Sequence, residues 1–271
     1  MATNRYIMEN EDEIERLELK TDSQVVIRQA QWAGLAPGHR AADIGCGTGK
    51  TTAELHKITG PTGEAVGIDI SADRIAYARK HYGGAGLRFV HRDFVTPIED
   101  IGTFDFIWVR FILEYFGSTS RAIIENLSTL LRPGGILCLI DLDNNCLCHY
   151  GFSERLTRTI EGVMRTLTKH TDFDPYAGRK LYRYLYDMKY TDIDVHLSAR
   201  HLIFGPLNDA EAFNWRKKIE VAARQSGYPF EAEYPGGYDE FFKDFTRSFS
   251  DEARFAYTPM IACRGRKPKP S

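Results

Sequence analysis

The stretch Ala42-Asp43-Ile44-Gly45-Cys46-Gly47-Thr48-Gly49-Lys50-Thr51-Thr52 holds the clearest capacity for binding chemistry in this chain. Gly45, Gly47 and Gly49 permit positive φ and let a ligand approach the backbone with no Cβ in the way. A helix starting just beyond them turns its free amide groups to the same spot. Three binding readings compete, and spacing separates them. A phosphate-binding P-loop needs glycine where Ile44 stands, and a dinucleotide fingerprint needs one, or a near substitute, where Lys50 stands. Asp43 would also point a carboxylate at a pyrophosphate, whereas it suits a ligand that presents a cation, such as the ammonium of a bound amino acid. Asp69 ends Val66-Gly67-Ile68-Asp69-Ile70, where a carboxylate can accept both hydroxyls of a ribose. Asp93 follows Phe89-Val90-His91-Arg92, placed to accept from an adenine amino group with Phe94 against the ring face. A lone aspartate of this kind is usually a cap or turn former. Three in succession at one sheet edge point to a ligand.

Alternating strands and helices are needed to bring those residues together. Arg40 to Cys46 reads as a first strand and Thr48 to Lys57 as a helix with Thr48 as N-cap. Glu64 to Ile70 is a second strand, and Ser71 caps a helix to about Tyr82. Leu87 to Arg92 and Phe104 to Val109 come next as strands, then a helix from Ser120 to Leu131, a Pro133-Gly134-Gly135 turn and a fifth strand, Ile136 to Asp141. That rhythm predicts βαβ units, a mainly parallel sheet covered on both faces, and ligands at the carboxyl ends of the strands. Glu9 to about Leu35 reads as helix before it. After Asn144 the rhythm changes: helices are expected over Tyr150–Lys169, Pro175–Tyr190, Asp209–Ser226 and Gly237–Phe249, with strands at Thr191–Ser198 and Phe255–Cys263. We read one domain over 1–271, with a helical cap at 1–36, a cofactor-binding core at 37–144, a helical insertion or substrate lid at 145–190, and the rest of the sheet and a tail at 191–271.

The series Asp-Ile-Gly-Cys-Gly-Thr-Gly, Gly-Ile-Asp, Arg-Asp-Phe, Phe-Asp-Phe-Ile-Trp-Val-Arg and Leu-Arg-Pro-Gly-Gly resembles the class I S-adenosylmethionine-dependent methyltransferase family over residues 38 to 142. The resemblance implies an α/β, Rossmann-like, seven-stranded, mostly parallel sheet whose last strand is antiparallel, with S-adenosyl-L-methionine as cofactor. It places Asp43 at the methionine end and Gly45, Cys46, Gly47 and Gly49 along the cofactor. Asp69 and Ile70 would lie at the ribose, Asp93 and Phe94 at the adenine, and Arg110 with Phe111 at the opening near the methyl group. The segment Arg5 to Glu11 is similar to natural-product members that fold an N-terminal helix over the cofactor.

Methyl transfer from a sulfonium needs an acceptor lone pair held in line and water kept out. A hydroxyl acceptor also gains from a positioned base. His149, just past the fifth strand, is the leading candidate, ahead of His170 and His201, with Glu114, Tyr115 and Tyr176 as substrate-shaping groups. Asp141-Leu142-Asp143-Asn144-Asn145 invites a Mg²⁺ reading, but Val109-Arg110-Phe111 beside it is a poor place for a cation, and no metal is expected. Cys146 and Cys148 offer only two thiols for a soft ion. Tyr182, Tyr184 and Tyr186 suit either packing or an aromatic acceptor.

A formal net charge of −2 provides no global basic field, so a small-molecule acceptor is expected and nucleic acid and membrane are not. No window approaches the roughly 20 apolar residues of a membrane span. The acidic N-terminus lacks a signal-type apolar core, and five scattered cysteines fit a reducing compartment, so a cytoplasmic location is expected. The expected activity is O-, N- or C-methylation of a natural-product or quinone-like molecule. The rival is a cofactor-bound protein of the same fold that no longer transfers methyl, with a cyclase-like or binding role.

Overall fold

The computed structural model describes Ile14, Leu17, Glu18, residues 21–98 and residues 100–269. The Arg5–Glu11 segment lies outside the described residues, as does most of the chain between Glu9 and Lys20. The first complete helix, α1, is Ser23–Ala33. Asp22 caps it by accepting from the amides of Gln24 and Val25, and Gly34 ends it at φ 95°.

From there the expected alternation holds: β1 Arg40–Ile44, α2 Lys50–Thr59, β2 Glu64–Asp69, α3 Ala72–Tyr82, β3 Leu87–His91, β4 Phe104–Arg110, α4 Ser120–Thr129 and β5 Leu131–Leu142. Ser71 caps α3 as expected, its hydroxyl accepting from the Arg74 amide. Thr48 does not cap α2. Gly49 occupies the cap position at φ 91°, a conformation open to glycine at little cost, and Thr48 turns into a cavity at the carboxyl ends of the strands. The first five strands run parallel in the order β3-β2-β1-β4-β5.

Both faces are buried, and β4 shows why a parallel sheet needs that. Ile107 and Val109 join the core under α4, while Phe106 and Trp108 join the opposite core with Val26 and Ala30 of α1. The Ser23–Ala33 helix therefore lies on the sheet.

The rest of the chain comprises β6 His149–Tyr150, α5 Glu154–His170, α6 Leu181–Asp187, β7 Thr191–Phe204, α7 Asp209–Ser226, α8 Gly237–Phe249 and β8 Phe255–Arg266. β8 runs antiparallel to β5 on one edge and to β7 on the other. The two residues of β6 continue the β5 row against the start of β8, so the sheet is seven strands wide with eight strands in all. The last strand is antiparallel, as expected.

The stretch 145–190 does not form one lid. Leu181, Leu185 and Tyr190, in and beside α6, belong to the sheet core, whereas Leu156, Ile160 and Val163 of α5 pack with Trp215 and Ile219 of α7 and Phe241 and Phe245 of α8. The second core is thus a three-helix group beside the carboxyl end of the sheet. Among the described residues no helix is long and apolar enough to cross a membrane.

Candidate active site

The glycine loop turns back over the neighbouring strand β2. Gly45 and Cys46 donate from their amides to the Ile68 carbonyl at 2.7 and 3.1 Å, and Gly47 donates to the Asp69 carboxylate at 2.8 Å. All three loop glycines have positive φ. A Cβ on Gly45 would collide with the Ile112 side chain, and one on Gly49 would meet Phe89 and Ala78 at 2.7 and 2.8 Å. The other carboxylate oxygen of Asp69 accepts from the Ser71 amide at 2.9 Å and from the Arg74 guanidinium at 3.0 Å. Asp69 is 4% exposed, and that exposed part faces the cavity.

This first cavity, of about 120 Å³, lies at the carboxyl ends of β1, β2 and β4. Of the expected residues, Gly45, Cys46, Gly47, Asp69, Ile70, Phe94 and Arg110 line it. Gly49 caps α2 behind the loop. Asp93 is exposed and outside the lining; its carboxylate accepts from the Val95 amide at 2.9 Å, the local turn that such residues commonly make. Asp43 lies beneath the loop at 2% exposure and accepts from the Thr52 hydroxyl at 2.7 Å. Burial pushes its carboxyl up to about 7, with the Thr52 bond and the Arg110 charge pulling the other way.

Arg110 ends β4 and points into this cavity. Its Nε and Nη2 are buried and have no hydrogen-bond partner among the described residues. Burial lowers the guanidinium to about 9, the Arg200 charge adds to that, and Asp43 opposes it. The group therefore stays charged at neutral pH. Its carbon sits 4.3 Å from the centre of the Phe111 ring, and Arg200 approaches the same ring at 4.8 Å. Phe111 holds φ 59°, a rare conformation for an aromatic residue and one that recurs at binding sites. Buried donors left unpaired cost about 1–3 kcal/mol, more when charged. A carboxylate entering the cavity would relieve that.

Sequence reasoning missed Leu17, Thr21, Arg74, Ile112 and Arg200 in this wall. Leu17 and Thr21 fall in the expected Glu9–Leu35 helix, though nothing in its spacing shows that they border a cavity.

A second cavity of about 200 Å³ adjoins the first, sharing Tyr115 and Arg200 as walls. Glu114 accepts from the Asn145 amide at 2.6 Å, and the Asn145 carbonyl accepts from Lys218 at 2.6 Å. Trp215 closes one side, with Lys218 5.0 Å from its ring. His201 also lines this cavity, at φ 52° beside a register shift in β7. Its ring meets Trp215 edge-on at 5.7 Å.

His149 is elsewhere and lines neither cavity. It donates from Nε2 to the Cys146 carbonyl at 3.0 Å, stacks on Phe152 at 4.6 Å, and meets Trp215 and Phe249 edge-on. Burial lowers it to about 4, and its ring packs among aromatic neighbours away from the cavities where a base was expected. His170 bonds the Ser226 carbonyl, and Tyr176 sits under Arg179. The acidic run after β5 is satisfied by protein groups: Asp141 accepts from the Glu114 and Leu142 amides, and Asp143 takes both arms of Arg179 at 2.7 and 2.8 Å. Burial and the Glu114 charge push Asp141 well up from the ordinary carboxyl range.

Residues 41–135 match the methyltransferase domain family. Over 109 residues the chain is 35% identical to the demethylmenaquinone methyltransferase of Staphylococcus aureus, covering 39% of this chain and 44% of the relative. The chain thus spans less than half the length of the curated relatives it matches. Fold similarity reaches further. A Haemonchus contortus phosphoethanolamine N-methyltransferase 2, solved with phosphomonomethylethanolamine and S-adenosylhomocysteine, aligns with 99% of this chain and 61% of its own, at TM-score 0.61 and 16% identity. The [4+2]-cyclase SpnF aligns with 92% of this chain and 82% of its own, at TM-score 0.53 and 16% identity. At such identities the likeness speaks for the fold alone. The methyltransferase-domain match covers the glycine loop and the first strands of this sheet, and it supports a class I S-adenosylmethionine-dependent methyltransferase.

Proposed function

We propose that the protein binds S-adenosylmethionine in the first cavity and directs its methyl group to a small organic acceptor. The observation that carries this reading is Arg110: a buried guanidinium, two of whose nitrogens have no partner among the described residues, at the end of the strand next to the glycine loop. Such a group fits the carboxylate of an amino-acid ligand. Asp69 fits ribose hydroxyls, and Phe94, buried and edge-on to Phe116 at 5.6 Å, fits an adenine face. When bound, the cofactor supplies an activated sulfonium methyl. The chain's own contribution is to orient donor and acceptor and to exclude water, which contributes several kcal/mol, up to about 10, to lowering the barrier. In-line displacement on an O, N or C atom of a natural-product or quinone-like molecule fits this arrangement.

Calorimetric binding of S-adenosylmethionine and S-adenosylhomocysteine to the wild type and to Asp69→Ala tests the reading. Micromolar binding that the substitution abolishes supports it, and no binding at millimolar ligand removes it. Release of S-adenosylhomocysteine with an acceptor then separates methyl transfer from a cofactor-bound, cyclase-like or binding role.

A further inference from the structure

We infer that the second cavity is the acceptor site and that its ligand is a compact hydroxylated aromatic acid, with the ring between Tyr115 and Trp215, the carboxylate on Lys218 and the hydroxyl donating to Glu114. This inference rests on the proposed cofactor site next door, since Tyr115 and Arg200 wall both cavities.

Size comes first. A cavity of about 150 Å³ is enough for benzene. At about 200 Å³, the second cavity admits one substituted ring or a small fused pair. Shape and lining agree, because Tyr115, His201 and Trp215 offer three aromatic faces or edges. The adjoining space past Met164 and Phe173, about 30 Å³, is too small for a long lipid tail.

Charge decides the class. Among the described residues Lys218 has no carboxylate partner; its ammonium holds the Asn145 carbonyl and faces the Trp215 ring. Arg200 brings a second positive charge to the same cavity. On the acidic side, Glu211 also lines the cavity, its carboxylate accepting from the Asn208 side-chain amide at 2.8 Å within the cap of α7. Glu114 is 3% exposed, with one oxygen on Asn145. The Lys218 ammonium, with no carboxylate on it among the described residues, is thus set across the cavity from a carboxylate suited to accept from a hydroxyl, an arrangement that a hydroxylated acid matches and an amine does not.

The probes are salicylate, 3-hydroxybenzoate and 4-hydroxybenzoate, with tyramine as the cationic and 4-methylphenol as the neutral counterpart. Each is titrated by tryptophan fluorescence into the protein with and without S-adenosylhomocysteine. Quenching by at least one hydroxybenzoate, absent in Trp215→Phe, is expected. Affinity should fall about tenfold or more in Lys218→Met, the loss of a charged hydrogen bond, and recover in Lys218→Arg. Tighter binding of tyramine or 4-methylphenol, or an unchanged affinity in Lys218→Met, would overturn the assignment. So would no quenching by any probe at millimolar concentration in protein that binds S-adenosylhomocysteine. If S-adenosylhomocysteine itself fails to bind, the cofactor reading falls, and the titrations without it still decide the second cavity.

Discussion

The two cavities meet at Tyr115 and Arg200 but are built by different means. The first is built around strand ends: a backbone turn at Gly45 to Gly47, the carboxylate that pins it, and the arginine at the end of β4. That of the second comes from side chains on separate elements, from Glu114 before α4 to Lys218 in α7. A site made of backbone geometry tolerates little change in sequence pattern, so it is readable and shared widely across a family. One made of side chains at a junction is free to vary, and acceptor specificity is expected to reside there.

The contrast extends to titration, which gives the largest expected effect. Asp43, in the first region, has a folded value near 7, above its unfolded value near 4. Its contribution to stability is complete below about pH 4 and lost as pH rises to about 7, up to about 4 kcal/mol in all. Asp141 acts in the same direction. His149, packed against Trp215 outside the second cavity, has a folded value near 4, below its unfolded value near 6.5. Its contribution is complete above about pH 6.5 and lost as pH falls to about 4, up to about 3 kcal/mol. The two slopes oppose each other in the wild type. Urea unfolding from pH 4.5 to 7.5 should show stability rising more with pH in Asp43→Asn than in the wild type, and falling more in His149→Phe. Parallel curves for all three proteins would show that neither group is perturbed.

Next in size is Asp69→Ala. It removes charged hydrogen bonds to the loop and to the ligand, and cofactor affinity should fall about 100-fold. Calorimetry showing less than a tenfold loss would leave the glycine loop as the dominant contact.

Arg110→Met should move two quantities in opposite directions. Removing unpaired buried donors should stabilise the ligand-free protein by about 1–2 kcal/mol, while S-adenosylhomocysteine binding weakens tenfold or more. A fall in both thermal midpoint and affinity would make Arg110 a structural residue.

The smallest effect is expected at Asp93, whose carboxylate serves a local turn. Asp93→Ala should leave cofactor affinity within about twofold, given an exposed group outside the cavity. A tenfold loss by calorimetry would restore it to the adenine site.

Much of the fold was legible because its signals are local. The second strand and its helix are one example: an apolar run, Asp69 to end it and Ser71 to cap α3, all within a few residues. Thr48 misled because a threonine before a helix normally caps it, yet Gly49 could take the left-handed position one residue later. Past Asn144 the periodic pattern still marked α5, α7 and α8, but the expected Pro175–Tyr190 helix shrank to Leu181–Asp187, preceded by a single 3₁₀ turn. Of the three tyrosines there that suited either packing or an aromatic acceptor, Tyr182 and Tyr186 stack on one another at the surface.

What the sequence determined alone was the order of strands and helices, the glycine turn and the aspartates at 43 and 69, because each depends on neighbours within one βαβ unit. Only the tertiary structure decided which histidine faces a cavity. His149 and His201 lie in strands on opposite edges of β8, and a strand's side chains alternate between faces with every residue. The face each ring occupies depends on pairing register with residues far along the chain and on the left-handed turn at His201. The same long-range register brings Lys218, Asn145 and Glu114 within hydrogen-bond reach, across separations that no local spacing encodes.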